Sequence, residues 1–198
     1  MKKKAVAQDN SYLEICGGIA TGKTTLCQKF SEKGMHTVFE DFQTNPFWKE
    51  FYASPQEYAF ETELSFHLQH YSLIKANLKY KNFACDFSLV QDMAYADINL
   101  TQRRHELFCD VAKELRNEVG FPKILIHVYC SENEQLQRIR ERNRKPEESI
   151  SKSYLASLNI AIKKRIVEIE SLCQVIHIDS SKTDFRNGLP VEFKKRQI

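Results

Sequence analysis

The sequence predicts an α/β fold with a parallel five-stranded sheet flanked by helices, and three observations lead to this prediction. Short segments rich in strand-forming apolar residues alternate with helical segments along most of the 198 residues, which is typical of a parallel sheet covered on both faces. A glycine-rich loop, residues 17–25, joins the first strand to the first helix. Several acidic residues end strands, at the sheet edge where ligands bind in such folds.

The predicted strands are short apolar runs bounded by polar residues or glycine. They cover residues 12–16, 36–39, 82–86, 124–130 and 174–179. The fourth run is the clearest candidate for a central strand, because it is apolar almost throughout.

The helices are predicted from apolar residues that recur at helical spacing between start and stop signals. Asn45 and Ser54 each place a capping residue directly before a proline, and Ser131 with Glu134 matches a capping box. A break is expected near residues 99–101. The predicted helices cover residues 23–30, 45–52, 54–79, 92–117, 132–145 and 151–172.

The loop has the pattern G-x-x-x-x-G-K-[ST], in which backbone N–H groups and the following helix N-terminus hold a polyphosphate. Lys23 is predicted to reach the β- and γ-phosphates, and the Thr24 hydroxyl to bind Mg²⁺. A strand before the loop and a helix behind it favour this motif over a chance match, so the fold class is a three-layer P-loop NTPase fold. The loop residues assigned to the nucleotide are Gly17, Gly18, Ile19, Ala20, Thr21, Gly22, Lys23, Thr24 and Thr25.

Two acidic residues at strand ends are candidates for the chemistry of phosphoryl transfer. Glu40 follows the second strand and could accept the proton of a substrate hydroxyl, or be a solvated loop carboxylate. Asp86 ends the third strand and could hold Mg²⁺ together with Thr24, or cap the next helix. The residues alone leave both pairs of alternatives open.

Four arginines lie near the end of one predicted helix: Arg138, Arg140, Arg142 and Arg144. They cannot all face one way, because side chains two apart on a helix point to different sides; Arg138 and Arg142 share a face, and Arg144 lies where the helix frays toward Pro146. A solvated basic helix is one interpretation. The other is a lid over the nucleotide, about residues 138–148, whose arginines contact phosphate oxygens as charge moves during transfer.

Composition excludes several classes of protein. The net charge of +3 argues against a large nucleic-acid interface, and no apolar stretch approaches the length of a membrane span. Six scattered cysteines without a C-x-x-C pair indicate free thiols in a reducing compartment, so a cytoplasmic location is predicted. Residues 1–198 are expected to form a single domain, with residues 1–10 as a flexible tail and a polar, irregular end from Ser180.

Two segments give the sequence a resemblance to a known family. In the first, Glu40 is followed by residues 45–47 (Asn-Pro-Phe) and residues 51–52 (Phe-Tyr); in the second, the arginine-rich residues 138–144 precede Tyr154. In this order they resemble the bacterial branch of the deoxynucleoside kinase family. The resemblance implies a phosphotransferase that uses ATP and Mg²⁺ to phosphorylate the 5′-hydroxyl of a deoxynucleoside, and a homodimer packed through its long helices.

The resemblance also implies roles for individual residues. Glu40 would be the catalytic base, with Lys23, Asp86 and Arg142 as further catalytic groups. Arg142 and Arg144 would be the lid arginines that contact ATP. The deoxynucleoside would be bound by Glu40, Phe47, Trp48, Tyr52, Glu63, Phe66, His70 and Asp92.

Four positions depart from the family pattern. Phe87 stands where the family's D-R-S motif has arginine, and Asn143 replaces a glycine of the lid. Glu63 replaces a glutamine that reads the base, and His70 an arginine. We expect a glutamate at position 63 to accept rather than donate hydrogen bonds at neutral pH.

The missing arginine keeps alternative functions open. Arg138, Arg140 or Arg103 would have to replace it for efficient transfer. A nucleotide-binding regulatory protein that kept the loop but lost efficient transfer is one alternative, favoured by Phe87 and His70. A nucleoside-monophosphate kinase is another, although it needs additional arginines near the acceptor.

Overall fold

The computed structural model describes residues 11–194, which contain a five-stranded, fully parallel sheet. The strands are β1 (Ser11–Cys16), β2 (His36–Val38), β3 (Asn82–Cys85), β4 (Ile124–Tyr129) and β5 (Gln174–Asp179). Their order in the sheet is β2-β3-β1-β4-β5, so the strand before the glycine-rich loop is central. The predicted fold class is confirmed. The tail predicted for residues 1–10 lies outside the described residues.

The helices follow the predicted order, with the expected break between the fourth and the fifth. They are α1 (Lys23–Glu32), α2 (Trp48–Ala53), α3 (Pro55–Asn77), α4 (Leu89–Asn99), α5 (Gln102–Val119), α6 (Glu132–Arg142), α7 (Lys152–Ile169) and α8 (Val191–Lys194). Short 3-10 turns cover Phe42–Thr44, Lys145–Ser149 and Phe185–Asn187.

Several boundaries differ from the sequence prediction: α2 begins at Trp48 rather than at Asn45, and α4 begins at Leu89 rather than at Asp92. Helix α6 ends at Arg142 rather than at Pro146, because Asn143 adopts φ 50°, a left-handed conformation that terminates helices. Residues 180–194 are more ordered than expected, since Phe185 and Phe193 are buried and belong to one apolar cluster with Phe30 of α1. An aromatic side chain that covers the sheet stabilises the segment that carries it.

Helices cover the sheet on two faces and create the three layers. On one face, Leu26 and Phe30 of α1 pack against strand residues such as Ile126. A second cluster joins α4, α6 and α7 to the sheet through residues such as Leu125 and Leu158. Removal of this apolar surface from water is the main stabilising contribution, about 25 cal/mol for each Å².

A buried ion pair fixes the segment between β3 and α4 to the central strand. Glu14 of β1 is fully buried, and its Oε1 lies 2.7 Å from Nη1 of Arg116. The second oxygen of Glu14 accepts hydrogen bonds from the Ser88 hydroxyl at 2.7 Å and from the Leu89 N–H at 3.1 Å. Because Asp86 precedes these residues, the network also sets the position of Asp86.

The described residues contain no helix both long and apolar enough to cross a membrane. All six cysteines are free, and those buried are Cys16, Cys27, Cys85 and Cys130.

Candidate active site

The glycine-rich loop follows β1 and leads into α1, and two of its glycines are required by the geometry. A Cβ atom on Gly17 would lie 2.2 Å from the carbonyl oxygen of Val128, so only glycine fits beside β4. Gly22 has φ 102°, a conformation that side chains rarely adopt. The Gly17 N–H donates a hydrogen bond to Oε1 of Gln91 at 3.1 Å, which connects the loop to α4.

Lys23 lies folded against the loop. Its Nζ donates hydrogen bonds to the carbonyl oxygens of Gly17 at 2.9 Å and Gly18 at 3.0 Å. Burial lowers the pKa of Lys23, while the negative charges of Glu40 and Asp86 act in the opposite direction. The ammonium group therefore lies between the phosphate loop and the two acidic residues predicted for the chemistry.

Asp86 connects Thr24 of the loop with Glu40. Its Oδ2 accepts a hydrogen bond from the Thr24 hydroxyl at 2.9 Å, and its Oδ1 accepts one from the Glu40 backbone N–H at 2.7 Å. Burial raises the pKa of Asp86, although both hydrogen bonds counteract this effect. A hydroxyl and a carboxylate this close fit Mg²⁺, which prefers oxygen ligands and keeps several positions for phosphate oxygens and water.

A cavity of about 290 Å³ opens beside Glu40 and holds most of the residues predicted to bind substrate. Loop residues Ile19, Ala20, Lys23 and Thr24 form one wall. The predicted substrate residues that line it are Glu40, Trp48, Tyr52, Glu63, Phe66, His70 and Asp92. Its aromatic walls suit a planar base, and its carboxylates suit hydroxyl and amino groups.

Phe47 is the one predicted substrate residue outside this lining. It immediately precedes α2, and its ring stacks on Tyr58 with 6.5 Å between centroids. The sequence did not single out Phe51, Gln91 and Tyr95 as substrate-binding, yet they line the cavity. Gln91 and Tyr95 are four residues apart on α4, a spacing that places both on one helix face and is the signal from which they could have been found.

Glu63 is buried in the cavity wall, and its Oε1 accepts a hydrogen bond from Nδ2 of Asn99 at 2.7 Å. Burial raises the pKa of Glu63 to about 8, and the nearby charge of Asp92 raises it further, whereas the Asn99 hydrogen bond lowers it. Most of the carboxyl is thus protonated at pH 7. The expectation that Glu63 only accepts hydrogen bonds at neutral pH is wrong, because burial makes it a neutral acid with a donor as well as an acceptor.

His70 lies between Glu40 and Asp92. Its Nδ1 donates to both Asp92 oxygens at 3.0 Å, and its Nε2 lies 3.3 Å from Oε1 of Glu40. Asp92 also accepts a hydrogen bond from Nδ1 of His67 at 3.0 Å. Burial alone would raise the pKa of Asp92, but the two histidines hold it well below its usual value.

A second cavity, of about 590 Å³, lies on the other side of the loop. Loop residues from Ala20 to Thr25 line it, and Arg142 and Arg144 line both this cavity and the one beside Glu40. Arg142 is ion-paired with Glu147, and Arg144 lies 3.4 Å from the same carboxylate. Two arginines therefore stand where the two cavities meet.

Of the three arginines that could replace the arginine missing at position 87, one lies at the loop. Arg138 lines the second cavity, donates to both oxygens of Ser180 at 2.9 Å and reaches the Thr21 carbonyl oxygen at 3.3 Å. Arg140 is exposed and Arg103 pairs with Glu106 on the surface, and neither lines the two cavities.

Comparison with known proteins places the chain among nucleoside kinases. A sequence profile described as deoxynucleoside kinase matches residues 13–194. The chain is 26% identical over 193 residues to deoxyadenosine kinase from Dictyostelium discoideum, which covers 92% of this chain and 76% of that protein. It is 27% identical over 184 residues to deoxyguanosine kinase from Bacillus subtilis (strain 168), and this match covers 88% of each protein.

The fold is also that of solved kinase structures. Deoxyadenosine kinase from M. mycoides with bound dATP superposes with a TM-score of 0.80 at 20% identity, covering 93% of this chain and 98% of that one. The same kinase with bound dCTP gives a TM-score of 0.77. At this level of identity the likeness concerns the fold.

Proposed function

The chain belongs to the deoxynucleoside kinase family, and from this premise we propose that it transfers the γ-phosphoryl group of ATP to the 5′-hydroxyl of a deoxynucleoside, with Glu40 as the general base. One observation carries the proposal: Glu40 lines the same cavity as Lys23 and Asp86. A hydroxyl bound there has a proton acceptor on one side and the phosphate loop on the other.

The acceptor binds in the cavity beside Glu40, where Trp48, Tyr52 and Phe66 contact the base and sugar. Glu63 and Asp92 provide polar contacts in the same wall. Because Glu63 is a neutral acid at pH 7, it pairs with a base edge that offers an acceptor beside a donor. Every nucleobase has such an edge, so the neutral carboxyl binds a base without selecting one.

ATP binds with its phosphates on the loop and its nucleoside in the second cavity. Lys23 leaves the carbonyl oxygens of Gly17 and Gly18 and neutralises phosphate charge. Thr24 and Asp86 would hold Mg²⁺, which would neutralise and orient the phosphates. Asp86 also binds the Glu40 backbone, so one carboxylate fixes the spacing between the loop and the base.

Residues 138–148 act as a lid over the transferred phosphoryl group. Arg142 and Arg144 leave the Glu147 carboxylate and bind phosphate oxygens instead. Their guanidinium groups then stabilise the charge that develops during transfer.

The protein acts as a cytoplasmic homodimer packed through its long helices, α7 among them. Ile160 and Val167 support this arrangement, since they leave 69% and 66% of their surface exposed on α7. Light scattering after gel filtration tests it: the wild type should have twice the mass of the chain, and Ile160→Asp should shift it toward monomer.

The kinase activity is tested with a panel of purine and pyrimidine deoxynucleosides, their monophosphates and Mg-ATP. Turnover of monophosphates alone would favour a nucleoside-monophosphate kinase. Tight ATP binding without turnover would favour a regulatory protein.

The role of Glu40 is tested with Glu40→Gln, which keeps the shape of the side chain and removes the base. We expect turnover to fall by about 10² to 10⁴ while the Kd for ATP stays within about threefold of the wild type. Asp41→Asn is the matched control, because Asp41 is the adjacent exposed carboxylate and caps a 3-10 turn. Full turnover by Glu40→Gln would remove Glu40 from the role of base.

A further inference from the structure

His70 bridges two carboxylates through both of its ring nitrogens. Carboxylate oxygens only accept hydrogen bonds, so Nδ1 needs a proton to bind Asp92, and Nε2 needs one to face Glu40 favourably. Nε2 has no aligned hydrogen-bond acceptor among residues 11–194, so its contact with Glu40 is an ion contact at 3.3 Å. The geometry therefore favours an imidazolium cation.

The surroundings of the ring support the same protonation state. Burial lowers the pKa of His70, but the charges and hydrogen bonds of Asp92 and Glu40 outweigh burial and raise it to about 10. The ring of Phe87 lies parallel to that of His70, with 4.2 Å between centroids and 9° between planes. Such a stack stabilises a cation and fixes the plane of its ring.

We propose that His70 is a positioning residue for the base: its ring, held between Asp92 and Phe87, directs the Glu40 carboxylate into the acceptor cavity. The inference rests on the proposed function, because it assigns a residue that acts through Glu40. It also explains why Phe87 and His70, two departures from the family pattern, are in contact. The cation beside the base is supplied from α3, and Phe87 forms the surface against which it is held.

Other titratable groups also lie near Glu40, and the experiment must separate their effects from that of His70. The titratable groups near Glu40 come from α1, the end of β3, α3 and α4, namely Lys23, Asp86, Glu63, His70 and Tyr95. Those near His70 are Asp92, Glu40 and Glu63. Lys23 is the other cation in the first set, and its Nζ binds carbonyl oxygens of the loop.

His67 provides a matched control. It is on the same helix, is buried to the same degree, and donates to Asp92 through Nδ1 as His70 does. Its ring contacts Phe108, and it does not line the acceptor cavity. A purely structural role in holding Asp92 is common to both histidines, whereas only His70 faces Glu40.

The test compares kcat and KM of the wild type, His70→Gln, His70→Arg and His67→Gln between pH 5 and 9. We expect His70→Gln to lower kcat by roughly 10- to 100-fold, a part of what a general base contributes. His70→Arg should recover much of the loss by restoring the charge, and His67→Gln should lower kcat far less than His70→Gln.

Long-range ¹H–¹⁵N NMR spectra of the wild type test protonation independently of activity. We expect both nitrogens of His70 to be protonated at pH 7. His127 is an internal reference, since burial beside His177 lowers its pKa to about 4 and leaves it neutral.

A neutral His70 ring at pH 7 overturns the inference, and so does an unchanged kcat in His70→Gln or an equal loss of kcat in His67→Gln. If the wild-type protein phosphorylates no nucleoside, the proposed function is refuted instead. In that case the NMR result still decides whether His70 is a cation.

Discussion

Replacing Glu63 with glutamine should make the stability of the protein less dependent on pH. The Glu63 carboxyl is buried and its pKa is raised to about 8, from 4.5 for an exposed glutamate. Glutamine has the same shape and one donor group, and it does not titrate. The variant therefore resembles the protonated wild type at every pH.

The magnitude follows from the two pKa values. Between pH 4.5 and about 8 the folded protein keeps a proton on Glu63 that the unfolded chain has lost. The stability of the wild type therefore falls as pH rises, by about 1.4 kcal/mol for each pH unit from this group. Over the two units from about pH 5 to about pH 7, Glu63→Gln should gain about 2–3 kcal/mol relative to the wild type.

Urea denaturation at several pH values and one protein concentration measures this gain. Glu57→Gln is the control, because Glu57 is an exposed carboxylate on the same helix and its replacement should produce no such slope. A constant difference in unfolding free energy between wild type and Glu63→Gln from pH 5 to pH 7 would refute the reasoning, since it would mean that Glu63 is already ionised in the folded protein.

The remaining predictions concern the phosphate loop and the buried ion pair. Gly17→Ala should abolish ATP binding, because its Cβ would lie 2.2 Å from the Val128 carbonyl oxygen and the loop must move. Calorimetry measures this, and an unchanged Kd for ATP would contradict it. Arg116→Met should lower the unfolding free energy in urea by about 3–5 kcal/mol, because it leaves Glu14 buried without its partner. Arg103→Met, at an exposed site, should cost less than about 0.5 kcal/mol, and equal losses in the two variants would contradict the argument.

The fold and the phosphate loop could be predicted because their signals are local. Each strand is a contiguous apolar run, and the loop pattern specifies glycine where the backbone curls. Gly22 illustrates this, since its φ of 102° is a local backbone conformation that favours glycine. The break before α5 was also local, because Leu100 leaves the helical conformation where the periodicity changes.

The orientation of side chains around the cavity was less accessible to sequence reasoning. Neighbouring residues on a helix differ in direction by about 100°, so a small change in how α2 packs decides which aromatic residues face the cavity. Trp48 lines the cavity, whereas Phe47 stacks on Tyr58. Phe51 belongs to the lining for the same reason.

The sequence by itself determined the kind of fold, the phosphate loop and the order of the acidic residues along the chain. Only the tertiary structure decided the charge states of the acceptor site. Glu63 becomes a neutral acid because neighbouring elements exclude water from it. His70 is flanked by Asp92 from α4 and Glu40 from the end of β2, residues that meet only when the sheet is assembled. Electrostatic interactions depend on distance and burial, and neither can be read from the order of residues alone.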